Sequence, residues 1–127
     1  MSVLGVDLRA SAKKPSSIAI LDTQSHLTEL SSFYEDSELT KLVDALQPDL
    51  VAIGAPLNLP SGFCCLDQAC DCKFSVSDRK GRLLELELAK MGISCFYTNK
   101  GSIIRDLIYR GIHLSKILRE SGHNVIE

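Results

Sequence analysis

"VLGVDLRASAKKPSSIAILDTQSHLTELSSFY", Val3 to Tyr34, decides the fold class. Three apolar runs succeed one another around and within it, at residues 2–7, 17–21 and 26–34. The first link is broken by Lys13, Lys14 and Pro15, and the second is the short polar stretch Thr23–Ser25. A parallel crossover needs a dozen or more residues, so links this short predict an antiparallel three-stranded meander. After Tyr34 the apolar period lengthens. Asp36 or Ser37 is expected to cap a helix with Leu39, Leu42, Val43 and Leu46 on one face, and Pro48 stops it. Leu50-Val51-Ala52-Ile53 is continuously apolar, as in a strand covered on both faces.

Residues 54–77 are irregular and rich in Pro, Gly and Cys, a length that inside a compact domain often marks a functional segment. Beyond them the pattern predicts a helix over 78–91, a short strand over 93–97, a long helix over 102–121 stopped by Gly122, and an apolar strand over 124–127. The succession predicts one α/β domain over residues 1–127. Its sheet is mixed: three antiparallel strands, then parallel strands joined by flanking helices.

Composition bounds the function. The chain has 127 residues, 45% hydrophobic and 24% charged, which is ordinary for a single globular domain. A net charge of −2 gives no bulk attraction for nucleic acid, so any such binding falls to a local basic patch. No apolar run is long enough to span a bilayer and no secretory pattern opens the chain, so a cytoplasmic protein without a membrane partner is expected. Five cysteines, an odd number, argue against a disulfide framework.

The first strand ends in Asp7. If the fourth strand packs beside the first, the strand order reverses there, and open α/β sheets bind ligands outside the carboxyl ends of strands at such a reversal. Glu127, ending the last strand, can reach the same edge. Carboxylates held together repel each other and a divalent cation relieves that repulsion, so Asp7 and Glu127 are candidate ligands for Mg²⁺ or Mn²⁺. Two such ions can clamp the oxygens of a phosphoryl transfer. The plainer reading of Asp7 is a turn former bonded to nearby amides.

Cys64, Cys65, Cys70 and Cys72 offer enough thiolates for zinc. Their spacing, C-C-x4-C-x-C, lacks paired C-x2-C knuckles, which favours free thiols in a loop over a zinc site. Lys13 and Lys14 flank Asp7 and could contact phosphates, or could simply be solvated. Arg79, Lys80 and Arg82 fall where a helix should open, against the macrodipole, and Arg79 is the further candidate for a phosphate. Arg105, Arg110, Lys116 and Arg119 lie along the last helix, and most of them read as its wet face. His26, His113 and His123 form no recognisable triad.

"GVDLRASAKKPSSIAILD", "VAIGAPLNLPSG", "SDRKGRLLELELAKMGISCFYT", "SIIRDLIYRGIHLSKILRESG" and "VIE" together resemble domain-of-unknown-function family 429, a set of predicted nucleases with a ribonuclease-H-like fold. The resemblance covers most of the chain in order, and "CCLDQACDC" resembles a Cys-bearing branch of that family. It implies a three-layer fold, strand order 3-2-1-4-5 and acids around Mg²⁺ or Mn²⁺. Asp7 and Glu127 then match two of those acids, and Asp78, with Arg79, matches an Asp-Arg pair at a helix start, which makes Asp78 a candidate third catalytic acid. Two departures stand out. Gly54-Ala55-Pro56-Leu57 replaces "DAPL", removing an expected carboxylate, and the family continues where this chain stops. The resemblance implies a metal-dependent nuclease, impaired at Gly54, or a non-catalytic relative that binds nucleic acid or protein. "GVDLRAS" also resembles the first phosphate loop of actin-like ATPases, without a second such loop.

Overall fold

The computed structural model describes residues 1–76 and 79–127. The chain divides into two compact units, residues 1–57 with 106–127 and residues 58–105. The first is an α/β layer pair. Strands β1 (Val3–Asp7), β2 (Ser16–Leu21) and β3 (Leu27–Phe33) form the expected meander, followed by α1 (Asp36–Leu46) and β4 (Leu50–Ile53). Helix α2 (Leu83–Lys90) belongs to the second unit, and α3 (Arg105–Glu120) and β5 (Val125–Ile126) complete the chain. The five strands form one mixed sheet in the order β3-β2-β1-β4-β5, with β1–β4 and β4–β5 parallel. Among the described residues no helix is long and apolar enough to cross a membrane.

Register sorts the strand residues onto two faces. Leu4 pairs with Ile20 and Val51, Val6 with Ile18 and Ile53, and Val51 with Val125. Successive strand residues alternate in direction, so these share one face. That face is the core, which Leu39 and Val43 of α1 and Leu114 and Leu118 of α3 also enter. The opposite face carries small residues at its centre, Gly5, Ala19 and Ala52.

The cap of helix α1 lies one residue before Asp36, the earlier of the two expected positions. Glu35 is the cap, and the Glu38 carboxylate accepts the Tyr34 and Glu35 N–H groups at 2.8 and 2.7 Å. At the other end Gln47 is left-handed, φ 46°, and Pro48 follows.

Two expectations past residue 78 are corrected. The helix expected over 78–91 covers only Leu83–Lys90. Leu83, Leu84, Leu86 and Leu88 do not recur at one helical face, and Leu83 and Leu84 are exposed. Residues 93–97 form no strand. The Ile93 N–H caps α2 on the Leu88 carbonyl at 2.9 Å, and the Thr98 N–H is bound by a side chain. The place beside β4 belongs to Val125–Ile126 instead. Counted over the six strands expected from sequence, the observed order is therefore 3-2-1-4-6.

Candidate metal centre

The 61–75 loop is a set of nested pairs folded about one turn. At its base the Ser75 N–H donates to the Ser61 carbonyl at 2.9 Å, and the two hydroxyls lie 2.8 Å apart. Next, Phe63 and Phe74 meet with ring centroids 4.5 Å apart. At its tip Asp67 makes the turn: its carboxylate accepts the Ala69 N–H at 3.0 Å and its carbonyl accepts the Cys70 N–H at 3.2 Å. Between the aromatic pair and the turn, this folding delivers Cys64 and Cys65 from one limb and Cys70 and Cys72 from the other.

The four sulfurs converge. All Sγ atoms lie within 4.8 Å of one another, with Cys64 to Cys70 at 3.5 Å and Cys64 to Cys65 at 3.9 Å. Zinc–thiolate bonds of about 2.3 Å in a tetrahedron set sulfur–sulfur edges of about 3.8 Å, and these two pairs bracket that edge. Four cysteines so placed could bind a metal such as zinc. The spacing favours free thiols, yet the hairpin brings all four sulfurs within reach of a single ion. Knuckle spacing is one way to aim thiols at an ion, and a hairpin that nests its limbs is another.

The thiols are electrostatically unequal. The backbone N–H groups of Cys64 and Cys65 pull the Cys72 thiol down to about 6. Thiol hydrogen bonds with Cys70, Cys72 and Cys65 push Cys64 up to about 12. Metal binding must displace that proton, which makes affinity fall in acid.

A second polar cluster sits in the same unit. Glu85 of α2 is buried and accepts from the Arg82 N–H at 2.9 Å, Arg82 Nε at 2.8 Å, the Thr98 N–H at 2.8 Å and the Thr98 hydroxyl. Arg82 Nη1 continues to Asn58 Oδ1 at 2.8 Å. Burial pushes the Glu85 carboxyl up, but the bonds from Thr98 and Arg82 outweigh it and hold it below its ordinary value. A Cβ at Gly81 would lie 2.3 Å from Glu85 Oε2 and 2.7 Å from the Tyr97 ring, so only glycine lets the chain close over this carboxylate. In the sequence Arg82 reads as a charge opposing the helix dipole. Glu85, three residues on, is the sign that both serve the helix start.

The carboxylates named from sequence are placed as follows. Asp7 ends β1 and is exposed, on the face of Gly5 and opposite Val6. Glu127 follows β5, and its Oε2 accepts the Leu57 N–H at 3.1 Å. Both stand at the carboxyl edge of the sheet with β4 between them, so their backbones are about 10 Å apart. A Cβ at Gly54 would lie 3.9 Å from Asp7 Cα and 3.2 Å from the Val6 carbonyl. Asp78 lies outside the described residues. Among the described residues the cysteines are the group of three or more candidate ligands that converges.

Lys13 and Lys14 are exposed in the turn after β1. Of the four basic residues read as a mostly wet helix face, Arg110 is an exception and ties four segments together. It bonds Asp36 Oδ1 through Nε at 2.8 Å, the Arg9 carbonyl through Nη1 at 2.9 Å and the Tyr34 carbonyl through Nη2 at 2.8 Å, and it approaches Ser16 Oγ at 3.5 Å. Arg119 likewise donates to the Val125 carbonyl at 3.0 Å. Comparison with known proteins finds no matching family model, no matching curated protein and no matching solved structure.

Proposed function

We propose that this chain is a zinc-binding α/β protein whose four-cysteine centre is structural, ordering residues 58–105. The convergence of Cys64, Cys65, Cys70 and Cys72 to within 4.8 Å carries this reading. Four protein thiolates would fill a tetrahedral ion and leave no open position for a reacting water, which is the character of a structural site. An ion there would also order the loop, whose described contacts beyond the buried Leu66 are one aromatic pair, the Lys100 contacts to Phe63 and the Cys70 carbonyl, and a few further hydrogen bonds. The test is metal content by elemental analysis, with Co²⁺ substitution read by its thiolate charge-transfer absorption. One zinc per chain, and a tetrahedral tetrathiolate spectrum lost in a Cys64→Ser, Cys70→Ser variant, are the expected results. A zinc-free protein that also fails to take up Co²⁺ would end the reading.

A second reading is the metal-dependent phosphodiesterase that the resemblance to ribonuclease-H-like nucleases implies. Asp7 favours it, standing at the carboxyl end of β1 where the sheet reverses its order. In this reading Asp7 and Glu127 hold Mg²⁺ or Mn²⁺, with Asp78 as third acid, and Gly54 weakens the site. Its non-catalytic form retains nucleic-acid binding through Lys13, Lys14 and Arg79. Thermal unfolding under Mn²⁺ titration separates the two forms. A stabilisation abolished by Asp7→Asn and strengthened by Gly54→Asp supports the enzyme, and no stabilisation in any of the three proteins supports the non-catalytic form.

A further inference from the structure

A cavity of about 600 Å³, open to solvent, lies beside the cysteine centre, built wholly from residues 63–100. Its volume falls in the range that holds small organic ligands. Two kinds of side chain line it. Phe63, Phe74 and Tyr97 supply aromatic surface, and Lys73, Arg79, Lys80 and Lys100 supply positive charge. Asp71 is the acid among the described lining residues. The whole chain carries 14 basic against 16 acidic side chains, so four cations around one opening run against its overall balance.

Several of these groups are held in place. Lys100 Nζ donates to the Cys70 carbonyl and stands 5.7 Å from the Phe63 ring centroid. Asn99 Nδ2 donates to the Lys80 carbonyl at 2.9 Å, which fixes the backbone that carries Lys80. Phe63 and Phe74 are tilted 40° to one another, so their faces are not used up in a mutual stack. Cations alone would take any anion, and aromatic faces alone any flat apolar body. Together they select a ligand with a planar aromatic group and a phosphate.

We propose that this cavity is a nucleotide site, in which the base stacks on Phe63, Phe74 or Tyr97 and Lys73, Arg79 and Lys80 face the phosphate. The site goes beyond a structural zinc, and it uses neither Asp7 nor Glu127. Its nucleotide can come as a free mononucleotide or as one unit of a single strand, and the base and phosphate chemistry is shared.

The test uses the full chain with its metal. Calorimetry with AMP and UMP forms one arm, and fluorescence anisotropy with a labelled eight-nucleotide oligo(U) forms the other. Binding in either arm is expected to weaken about tenfold in Phe74→Leu and in the double variant Lys73→Ala, Lys80→Ala. In the oligonucleotide arm the double variant should also lower the slope of log affinity against log salt by about 1.4, or about 0.7 for each phosphate of a single strand that is no longer neutralised. Binding in the oligonucleotide arm alone identifies a strand as the source, and binding of AMP or UMP identifies the free nucleotide. Lys73 and Lys80 are exposed, so the double variant should keep its zinc and its unfolding midpoint, which isolates this test from the zinc reading. Absence of binding in both arms, binding indifferent to both variants, or inorganic phosphate competing as strongly as the nucleotide would each overturn the proposal.

Discussion

The two units of this chain hold themselves together by different physics. In the sheet unit, a continuous cluster of buried aliphatic side chains runs from Leu4 and Val6 through Val51 and Ile53 to Leu114 and Leu118. None of the described residues of the 58–105 unit belongs to that cluster. Its α2 has eight residues and exposes Leu83 and Leu84. Its described order comes from a buried carboxylate, a nested loop and four converging thiols. Burial of apolar area is non-directional and tolerant of imperfect partners, whereas a polar cluster or a metal centre works only when every member is present. The second unit should therefore fail abruptly when one part is removed, while the first should degrade by degrees.

On the proposed zinc reading, metal removal should have the largest effect. Structural zinc supplies folding free energy on the order of 10 kcal/mol in small domains, far more than any one side chain here. Chelation at neutral pH is expected to open residues 61–76 to protease while the sheet segments stay protected, read by mapping the cleavage sites. Equal loss of protection in both units would break the contrast. Acid should mimic the chelator. Protons compete with the ion for all four thiols, so affinity should fall as pH is lowered, and the metal-free Cys72 thiol, pulled down to about 6, is the one that resists protonation furthest.

Glu85→Gln comes next. Removing one member of a buried ion pair costs about 3–5 kcal/mol, because the remaining charge stays buried. Here Arg82 would lose the Glu85 charge while its N–H and that of Thr98 keep weaker acceptors. The pH dependence has a definite sign. The folded Glu85 carboxyl lies below its ordinary value near 4.5. Its contribution is therefore present above that value and lost as pH falls through the folded pKa. Wild-type unfolding midpoints should drop below about pH 4.5, and the Gln variant should start lower and show a flatter decline. A variant as stable as wild type at pH 7 would mean that the cluster is ornamental.

The sheet unit was largely legible in the sequence and the other unit was not, for the same reason. Strands β1 to β4 and α1 announce themselves because one buried face imposes a period on the residues that line it. In residues 78–97 no such face exists among the described residues, so apolar runs mislead: Leu83 and Leu84 suggest a longer helix, and Ile93 to Tyr97 suggest a strand. What organises that stretch is Glu85 meeting Thr98 thirteen positions on, a pairing with no period. The cysteines are visible as residue types, but their convergence depends on the turn at Asp67. The nested order of Ser61, Phe63 and Cys64 against Cys72, Phe74 and Ser75 is the available sign. Asp7 and Glu127 stand at strand ends, as their sequence positions suggest, while their mutual geometry depends on which strand lies between them.

Arg110→Lys should be the smallest of these effects and the sharpest test of the contrast, because Arg110 is a polar knot inside the apolar unit. Periodicity assigns it to solvent, yet its side chain is only 10% exposed and meets α1, β2 and the ends of β1 and β3. Lysine keeps the charge but not the planar fork, so it can satisfy Asp36 while giving up at least one of the Arg9 and Tyr34 carbonyls. The expected loss is about 1–3 kcal/mol, from one or two charge-assisted hydrogen bonds, measured by chemical denaturation. Arg110 reaches the buried cluster through the Phe33 ring, 5.8 Å from its guanidinium, and the aliphatic members are left as they are, so the transition should remain cooperative and its denaturant slope unchanged. A loss as large as that of Glu85→Gln, or a split transition, would mean that the sheet unit also depends on a polar keystone, and the division between the two kinds of stability would fall.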